Sequence, residues 1–282
     1  MRTTSLLTAL VLGLAALGCG GADAPGEADR SGASDDGTGQ ASSRADSAVA
    51  AWIRAAGGAS AWDSVRTLRY TVTTVLYDST GAVDWMRPRR VEIEKTGRGF
   101  LSRIERPEGE GLYVQVFTGD TAWATLNGRP LPPDDPAAAE SEYVGRDVFY
   151  WIGLPWKLRD PGVNLEAVTL PADSGLEVRV TFGETVGQHP GDTYWYRFLD
   201  DDPWPEQVHY REAGAEDRTR TLWRDFTAAG PITYVGVRRY VDASGRRTKE
   251  LRIDDVWVNP SLPASLFTPP DRRDLASPGA RP

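Results

Sequence analysis

The chain has 282 residues, with 32 Lys and Arg against 40 Asp and Glu and a formal net charge of −8. An acidic chain without a basic cluster is not expected to bind nucleic acid. The sequence contains one cysteine and two histidines, His189 and His209. This set is too small for a zinc site and leaves no pair of cysteines for a disulfide within the chain.

The N-terminus has the pattern of a signal sequence. Met1-Arg2 precedes an uncharged apolar run, Leu6 to Leu17, which has the length of a signal-peptide core and is too short to span a bilayer as a helix. The run ends at "ALGCGG", which resembles the lipobox of bacterial lipoproteins, with Ala16 where that motif usually has Leu. The resemblance implies that residues 1–18 are removed and that Cys19 is acylated. An ordinary signal peptide followed by an unrelated cysteine is the alternative.

The next segment, residues 19–44, is predicted to be the lipidated cysteine and a disordered tether. From residue 20 onward it has no aromatic residue and no Val, Ile or Leu, so it cannot bury enough apolar surface to offset the entropy lost on ordering. The tail at residues 271–282 is predicted to be disordered as well. Residues 45–270 remain, a length that fits one mainly β domain.

The domain is predicted to begin with a short helix that Asp46 caps and Gly57-Gly58 ends. Its apolar residues lie on one helical face: Val49, Trp52, Ile53 and Ala56. The hydrophobic period then changes to two, and most junctions carry Gly, Asp or Pro. Eleven strands are predicted: 69–77, 90–95, 111–117, 121–126, 164–170, 176–182, 192–199, 206–212, 219–226, 233–241 and 248–258.

The middle of the chain interrupts this pattern. A helix is predicted to begin at Asp135, as the cap, with Pro136 at its first position. Its apolar residues fall on one face, and Gly153-Leu154-Pro155 ends it. The stretch "RDVFYWIGLPWKLRDPG" (146–162) is dense in aromatic and aliphatic side chains. We therefore predict a mainly β fold of the α+β class. It is a curved antiparallel sheet of about eleven strands that forms a half-open barrel, with an N-terminal helix and a mid-chain helical lid.

This order of elements resembles the LolA/LolB lipoprotein-carrier superfamily over residues 45–270, and "VNPSLPASLFTPP" (258–270) is similar to the end of LolA-like domains. Stretches such as "GLYVQVF" and "FYWIGLPWKLRDPG" are also similar to a group of bacterial envelope proteins without an assigned activity. The first resemblance implies an incomplete barrel whose apolar cavity is covered by helices and receives acyl chains.

In such a barrel the segment 139–158 is expected to be the lid. Four of its apolar residues are candidates for the cavity wall: Phe149, Trp151, Leu154 and Trp156. Three basic residues are candidates to face a phosphate or carboxylate at the rim: Arg146, Lys157 and Arg159. The alternative for the aromatic residues is ordinary core packing, because such stripes are more often core than ligand sites.

The sequence favours a binding protein over an enzyme. No serine lies in a Gly-x-Ser-x-Gly motif, and the acidic run at 200–203 lacks the spacing of a calcium loop. No catalytic residue, cofactor or metal is predicted. We expect a lipid-anchored protein of the bacterial cell envelope, at the outer membrane and facing the periplasm, that carries or sequesters a lipid or an acylated ligand. A module that binds another envelope protein and a hydrolase with paired carboxylates are the alternatives.

The lipobox gives the first testable prediction. Replacement of Cys19 by Ala should move the protein from the membrane fraction to the soluble fraction, because the acylated residue is lost. The measurement is fractionation of cells that express either form, followed by detection of the protein. Equal distribution of the two forms would contradict lipid anchoring.

Overall fold

The structure is a computed structural model, and it describes residues 36–97, 99–168, 170–171, 175–183, 191–199 and 202–270, of which 36–41 are described by their backbone alone. Cys19, His189 and the tail at 271–282 lie outside the described residues. Residues from Asp36 onward form one compact unit.

One antiparallel, curved sheet that does not close organises this unit. Its described strands number thirteen: β1 Thr67–Tyr77, β2 Val83–Thr96, β3 Gly99–Glu108, β4 Gly111–Phe117, β5 Ala122–Leu126, β6 Arg129–Pro130, β7 Val163–Val168, β8 Leu176–Phe182, β9 Thr193–Phe198, β10 Pro205–Arg211, β11 Thr219–Ala229, β12 Ile232–Val241 and β13 Arg247–Val258. Their spatial order is β6-β5-β4-β3-β2-β1-β13-β12-β11-β10-β9-β8-β7.

The order shows two meanders joined by the first and last strands. β1 pairs with β13, for example Val72 with Ile253 and Thr74 with Leu251. The two edges of the sheet, β6 and β7, are therefore consecutive in the sequence. Residues 131–162 connect them and are called the helical crossover below. They contain α3 (Pro136–Ala139), α4 (Ser141–Ile152) and a 3₁₀ turn at Trp156–Arg159.

The helical crossover and the two N-terminal helices, α1 (Asp36–Ala55) and α2 (Ala59–Ser64), pack on the concave face of the sheet. One hydrophobic cluster joins α2 and α4 to β1, β2 and β3 around Trp62, Leu68 and Ile152. A second cluster joins α1 to β8–β12 around Trp52, Tyr196 and Trp223. The curvature of the sheet thus encloses the helices.

Two features of the fold differ from the sequence prediction. The sheet has thirteen described strands rather than about eleven, because β3 and β6 were not predicted. β3 has an irregular pattern with Ser102 and Arg103 in its centre, and β6 has only two residues. Both are held by pairing with neighbouring strands, which a local pattern does not contain.

The N-terminal helix begins at Asp36, ten residues before the predicted cap at Asp46. Residues 36–44 of the predicted tether are therefore helical. The apolar face was predicted correctly, since Val49, Trp52 and Ala56 are buried and Ile53 packs against both clusters. The earlier turns carry no apolar signal because residues 42–44 are exposed. Extending an existing helix costs little, whereas starting one is unfavourable.

The convex face carries two buried glutamates, each bound by several arginines. Glu92 on β2 accepts hydrogen bonds from Arg69, Arg90 and Arg103, each at 3.0 Å. Glu250 on β13 is 1% exposed, and its partners lie on neighbouring positions: Arg239 at 2.7 Å, Arg252 at 2.7 Å, Arg247 at 3.4 Å and the Tyr77 hydroxyl at 2.8 Å. Burial alone would raise the pKa of Glu250. The hydrogen bonds from Arg252, Arg239 and Tyr77 outweigh it and lower the pKa to about 2.

We predict that Glu250→Gln lowers the free energy of unfolding at neutral pH by about 2 kcal/mol, because charged hydrogen bonds are lost. A carboxyl group with a lowered pKa contributes stability above its unfolded-state pKa. This contribution is lost as the pH falls from 4.5 towards about 2. The difference between the two proteins should therefore shrink over that range. Urea unfolding at several pH values measures it. Glu142→Gln is the control, since Glu142 pairs on the surface with Arg146. An equal effect of both variants would contradict the prediction.

Candidate functional site

The helical crossover begins as the sequence predicted. Asp135 caps α3, and its side chain accepts a hydrogen bond from the Ala137 amide at 2.9 Å. Pro136 occupies the first turn, and Gly153 follows the last residue of α4. Gly145 is the point of closest approach to the sheet, because a Cβ atom there would lie 2.5 Å from the Phe117 Cβ and 2.7 Å from the Ser102 Oγ. The absence of a side chain lets α4 sit directly on β3 and β4.

Three of the four predicted cavity residues are packed in the core. Trp156 stacks on Trp62 with ring centroids 5.0 Å apart, and its Nε1 donates to the Gly58 carbonyl at 2.8 Å. Phe149 stacks on Phe100 with centroids 4.0 Å apart. Leu154 lies in the other cluster, beside α1. In this conformation each of them contacts protein, so a role in lining a ligand cavity stays a prediction.

The three predicted rim cations have acidic partners within the chain. Arg146 pairs with Glu142 at 2.9 Å and lies 4.5 Å above the Phe117 ring. Lys157 pairs with Asp160. Arg159 pairs with Asp46 and also donates to its main-chain carbonyl at 2.8 Å. Arg159 joins the helical crossover to α1, and Arg146 joins it to β4, whereas the pair of Lys157 and Asp160 lies within the crossover. Binding of a ligand anion by these cations stays a prediction.

Trp151, the fourth predicted residue, lies at a different place. Its indole Nε1 donates to the Asp147 carboxylate at 2.6 Å. The guanidinium of Arg238 stacks on its ring at 4.2 Å. Both residues line a small pocket between α4 and the concave face of β1, β2, β12 and β13. We call it the basic pocket, and its residues are Tyr70, Val72, Arg89, Asp147, Val148, Trp151, Arg238, Leu251 and Ile253.

Strand register explains why these side chains meet. Arg89 of β2 lies opposite Val72 of β1, which lies opposite Ile253 of β13. Arg238 of β12 lies opposite Leu251 of β13 on one side and Trp223 of β11 on the other. Paired residues share a face of the sheet, so all of them point to the concave side. Tyr70 closes the inner end, and its hydroxyl donates to the Val148 carbonyl at 2.8 Å.

The basic pocket concentrates positive charge in a region of low solvent access. Arg89 and Arg238 face one carboxylate, Asp147. Lys249 lies opposite Tyr240 in the neighbouring strand, and its Nζ stands 3.8 Å above the centre of that ring.

The pKa values of these groups reflect their surroundings. Burial lowers the pKa of Lys249, and the charge of Arg238 lowers it further. Burial also lowers the pKa of Arg89, an effect that Asp147 opposes. Burial and the Asp147 carboxylate raise the pKa of Tyr143, on α4, to about 12.

Arg238 is the least satisfied of these cations. Its side chain is 5% exposed, and its Nη1 has no hydrogen-bond partner in the described part of the chain. Its neighbour Arg239 points to the convex face and binds Glu250 at 2.7 Å. Two consecutive arginines in one strand therefore have opposite environments.

The basic pocket was not predicted from the sequence, although two arginine-rich strand segments indicate that buried arginines are present. In a strand, successive side chains point to opposite faces. The motif "VRRYV" (237–241) must therefore turn one arginine inward, and "RPRR" (87–90) must do the same. Which arginine points inward depends on the register with β11 and β13. The local pattern does not contain that information.

The pocket has a volume of about 20 Å³, which is enough for roughly one water molecule. Within the described residues, no group of three or more His, Cys, Asp or Glu side chains is placed to hold a metal ion. None of the described helices combines the length and the apolar character needed to cross a membrane.

Comparison with known proteins identifies the fold. No protein-family model and no curated protein matches the chain. A DUF1329 family protein from Desulfovibrio piger is similar in structure, with a TM-score of 0.50 and 10% identity over 79% of this chain and 97% of that one. A putative outer membrane lipoprotein-sorting protein domain from Vibrio parahaemolyticus gives a TM-score of 0.48 and 7% identity over 80% and 97% of the two chains. A LolA superfamily protein from Nitrosomonas europaea gives 0.42 and 11% over 80% and 97%.

The first similarity shows a shared fold and, at 10% identity, the fold alone. The other two have TM-scores below 0.5 and carry no argument by themselves. The architecture that the sequence predicted, an open, curved antiparallel sheet with helices on its concave face, is confirmed.

The packing of Trp156 gives a stability prediction. Trp156→Ala should lower the free energy of unfolding by about 3–5 kcal/mol, because a buried ring is removed and its stacking on Trp62 is lost. Trp156 is 6% exposed, whereas Trp257 is 65% exposed. Trp257→Ala is therefore the matched control and should change stability by less than about 0.5 kcal/mol. Thermal and urea unfolding measure both variants. A small loss for Trp156→Ala would show that the ring borders space that is already hollow, as the ligand-lining hypothesis requires.

Proposed function

We propose that this domain binds a lipid or an acylated ligand on its concave face and carries or sequesters it at the cell envelope. The observation that supports the proposal is the arrangement of the concave face. It is lined with apolar and aromatic side chains, and the helical crossover that covers it joins the two edge strands of an open sheet. The resemblance to LolA-like domains and the signal peptide predicted from the sequence support an envelope location.

The ligand can bind only if part of the cover moves. The space in the basic pocket is about 20 Å³, far less than an acyl chain needs. α4 is the element that we propose to move, because its apolar face lies on β1, β3 and β4 and its C-terminal end is followed by Gly153 and Pro155. An acyl chain that replaces α4 on the sheet would gain about 0.8 kcal/mol for each CH₂ group removed from water.

Acylation at Cys19 would keep the domain at the membrane that supplies or accepts the ligand. A single lipid chain binds a membrane only reversibly, whereas two chains or more give stable anchoring. We propose that the protein is anchored at the outer membrane, faces the periplasm and acts as a carrier.

Gly145 offers a direct test of movement of α4. Gly145→Ala introduces a Cβ atom into the contact with Phe117 and Ser102. This overpacking should lower stability by about 1–3 kcal/mol and push α4 away from the sheet. If the open form binds ligand, a larger open population raises the apparent affinity. Affinity for dansyl-labelled undecanoate should therefore rise severalfold, and fluorescence titration measures it.

A matched control separates movement of α4 from general destabilisation. Glu250→Gln supplies this control, because Glu250 lies on the convex face and the loss of its charged hydrogen bonds is predicted to cost about 2 kcal/mol. It should lower stability without changing the affinity for the probe. If both variants are destabilised and bind the probe like the parent, α4 is not the lid. If the parent does not bind the probe at all, the proposed function is wrong.

A further inference from the structure

We infer that the ligand carries an anionic head group, a carboxylate or a phosphate, and that Arg238 and Arg89 bind this head in the basic pocket. This inference rests on the proposed function and adds to it the chemical class of the ligand, an anionic amphiphile. The two arginines line the basic pocket, and neither of them is a rim cation predicted from the sequence.

Arg238 has a buried nitrogen, Nη1, without a hydrogen-bond partner among the described residues. A buried guanidinium donor without an acceptor costs free energy, since it has lost its hydrogen bonds to water. Stacking on Trp151 covers the face of the guanidinium but does not satisfy its N–H groups. An acceptor in the pocket would satisfy Nη1. Arginine also presents paired donors that match the two oxygens of a carboxylate or phosphate.

The second argument is the charge around the pocket. Arg89 and Arg238 face Asp147 across it. Lys249 interacts electrostatically with these three residues and with the carboxylate of Glu212. The tyrosines at the site, among them Tyr70 and Tyr143, are neutral at pH 7, and burial raises their pKa further. The three cations, Arg89, Arg238 and Lys249, outnumber the two carboxylates, so the charge around the pocket is positive. Burial lowers the pKa of Lys249, and repulsion from Arg238, which a bound anion would offset, lowers it further.

The third argument is the position of the pocket between apolar and polar surfaces. Its inner wall is formed by Val72, Val148 and Ile253, which belong to the hydrophobic cluster under α4. A ligand whose chain lies on that cluster would place its head at Arg89 and Arg238. A free anion would leave the apolar wall unused, so the pocket favours a head group attached to a chain.

Asp147 fits the same scheme, because it lies on α4 together with Val148 and Trp151. In the closed form its carboxylate is the negative charge opposite Arg89 and Arg238. Movement of α4 would take Asp147 and the Trp151 ring away from the arginines together. The head group of the ligand would then replace the carboxylate of the lid.

The test compares ligands with the same chain and different heads. Calorimetric titration of the full mature protein with laurate, dodecyl phosphate and uncharged 1-monolaurin gives the preference for an anion. We expect the two anionic ligands to bind at least tenfold more tightly than monolaurin. Arg238→Met should abolish this preference and leave the affinity for monolaurin unchanged. The apolar side chain should also keep or raise stability, because a buried unsatisfied charge is removed.

The control is Arg220→Met, which removes the same charge from an exposed position where the side chain donates to Gln207 at 2.8 Å. It should bind all three ligands like the parent. If Arg238→Met does not fold, Arg89→Met supplies the same test from the other side of the pocket.

The possible results separate the two hypotheses. If the parent binds monolaurin and laurate equally tightly and Arg238→Met does the same, the proposal that the ligand has an anionic head group is wrong. The proposed function, binding of a lipid or an acylated ligand, would not be contradicted by this result. No binding of any of the three would overturn both. If inorganic phosphate binds as tightly as dodecyl phosphate, the site recognises a free anion. This result would contradict the proposal that the ligand is an amphiphile.

Discussion

The pairing of the first strand with the last determines the rest of this structure. Because β1 and β13 lie side by side, each half of the chain builds outward from them. The two edge strands, β6 and β7, are consecutive in the sequence but lie at opposite ends of the sheet. The connection between them has to cross one face of the sheet. Thus the helical crossover covers the concave face, and residues of α4 meet strands from both halves of the domain.

Buried charged side chains have different partners on the two faces of the sheet. On the convex face, Glu92 and Glu250 each receive several arginines, so the buried carboxylates are paired. On the concave face, Arg89 and Arg238 share the surroundings of Asp147, and one nitrogen of Arg238 is unsatisfied. A buried polar group without a partner is costly and therefore calls for an explanation. A ligand group that binds there is the explanation we propose.

Local signals in the sequence predicted many elements of the fold. The start at Asp135 and the end at Gly153 were predicted at the correct places, because capping and helix-breaking residues act within a few positions. Two helices, α3 and α4, lie between them instead of the single helix predicted. The buried face of α1 was found through its helical period. β3, β6 and the first turns of α1 were not found. Their residues form regular structure only through strand pairing or extension of a helix already packed on the sheet.

The sequence by itself determined the architecture of the domain: the alternation of strands, the position of the mid-chain helices and the aromatic density of residues 146–162. The tertiary structure decided which side chains lie together and which face of the sheet each of them occupies. Phe149, Leu154 and Trp156 pack into the core, and Arg238 rather than Arg239 points inward. The physical reason is register. A shift of one residue between β12 and its neighbours would exchange the two faces of the strand, and the pairing partners that fix the register lie in other strands.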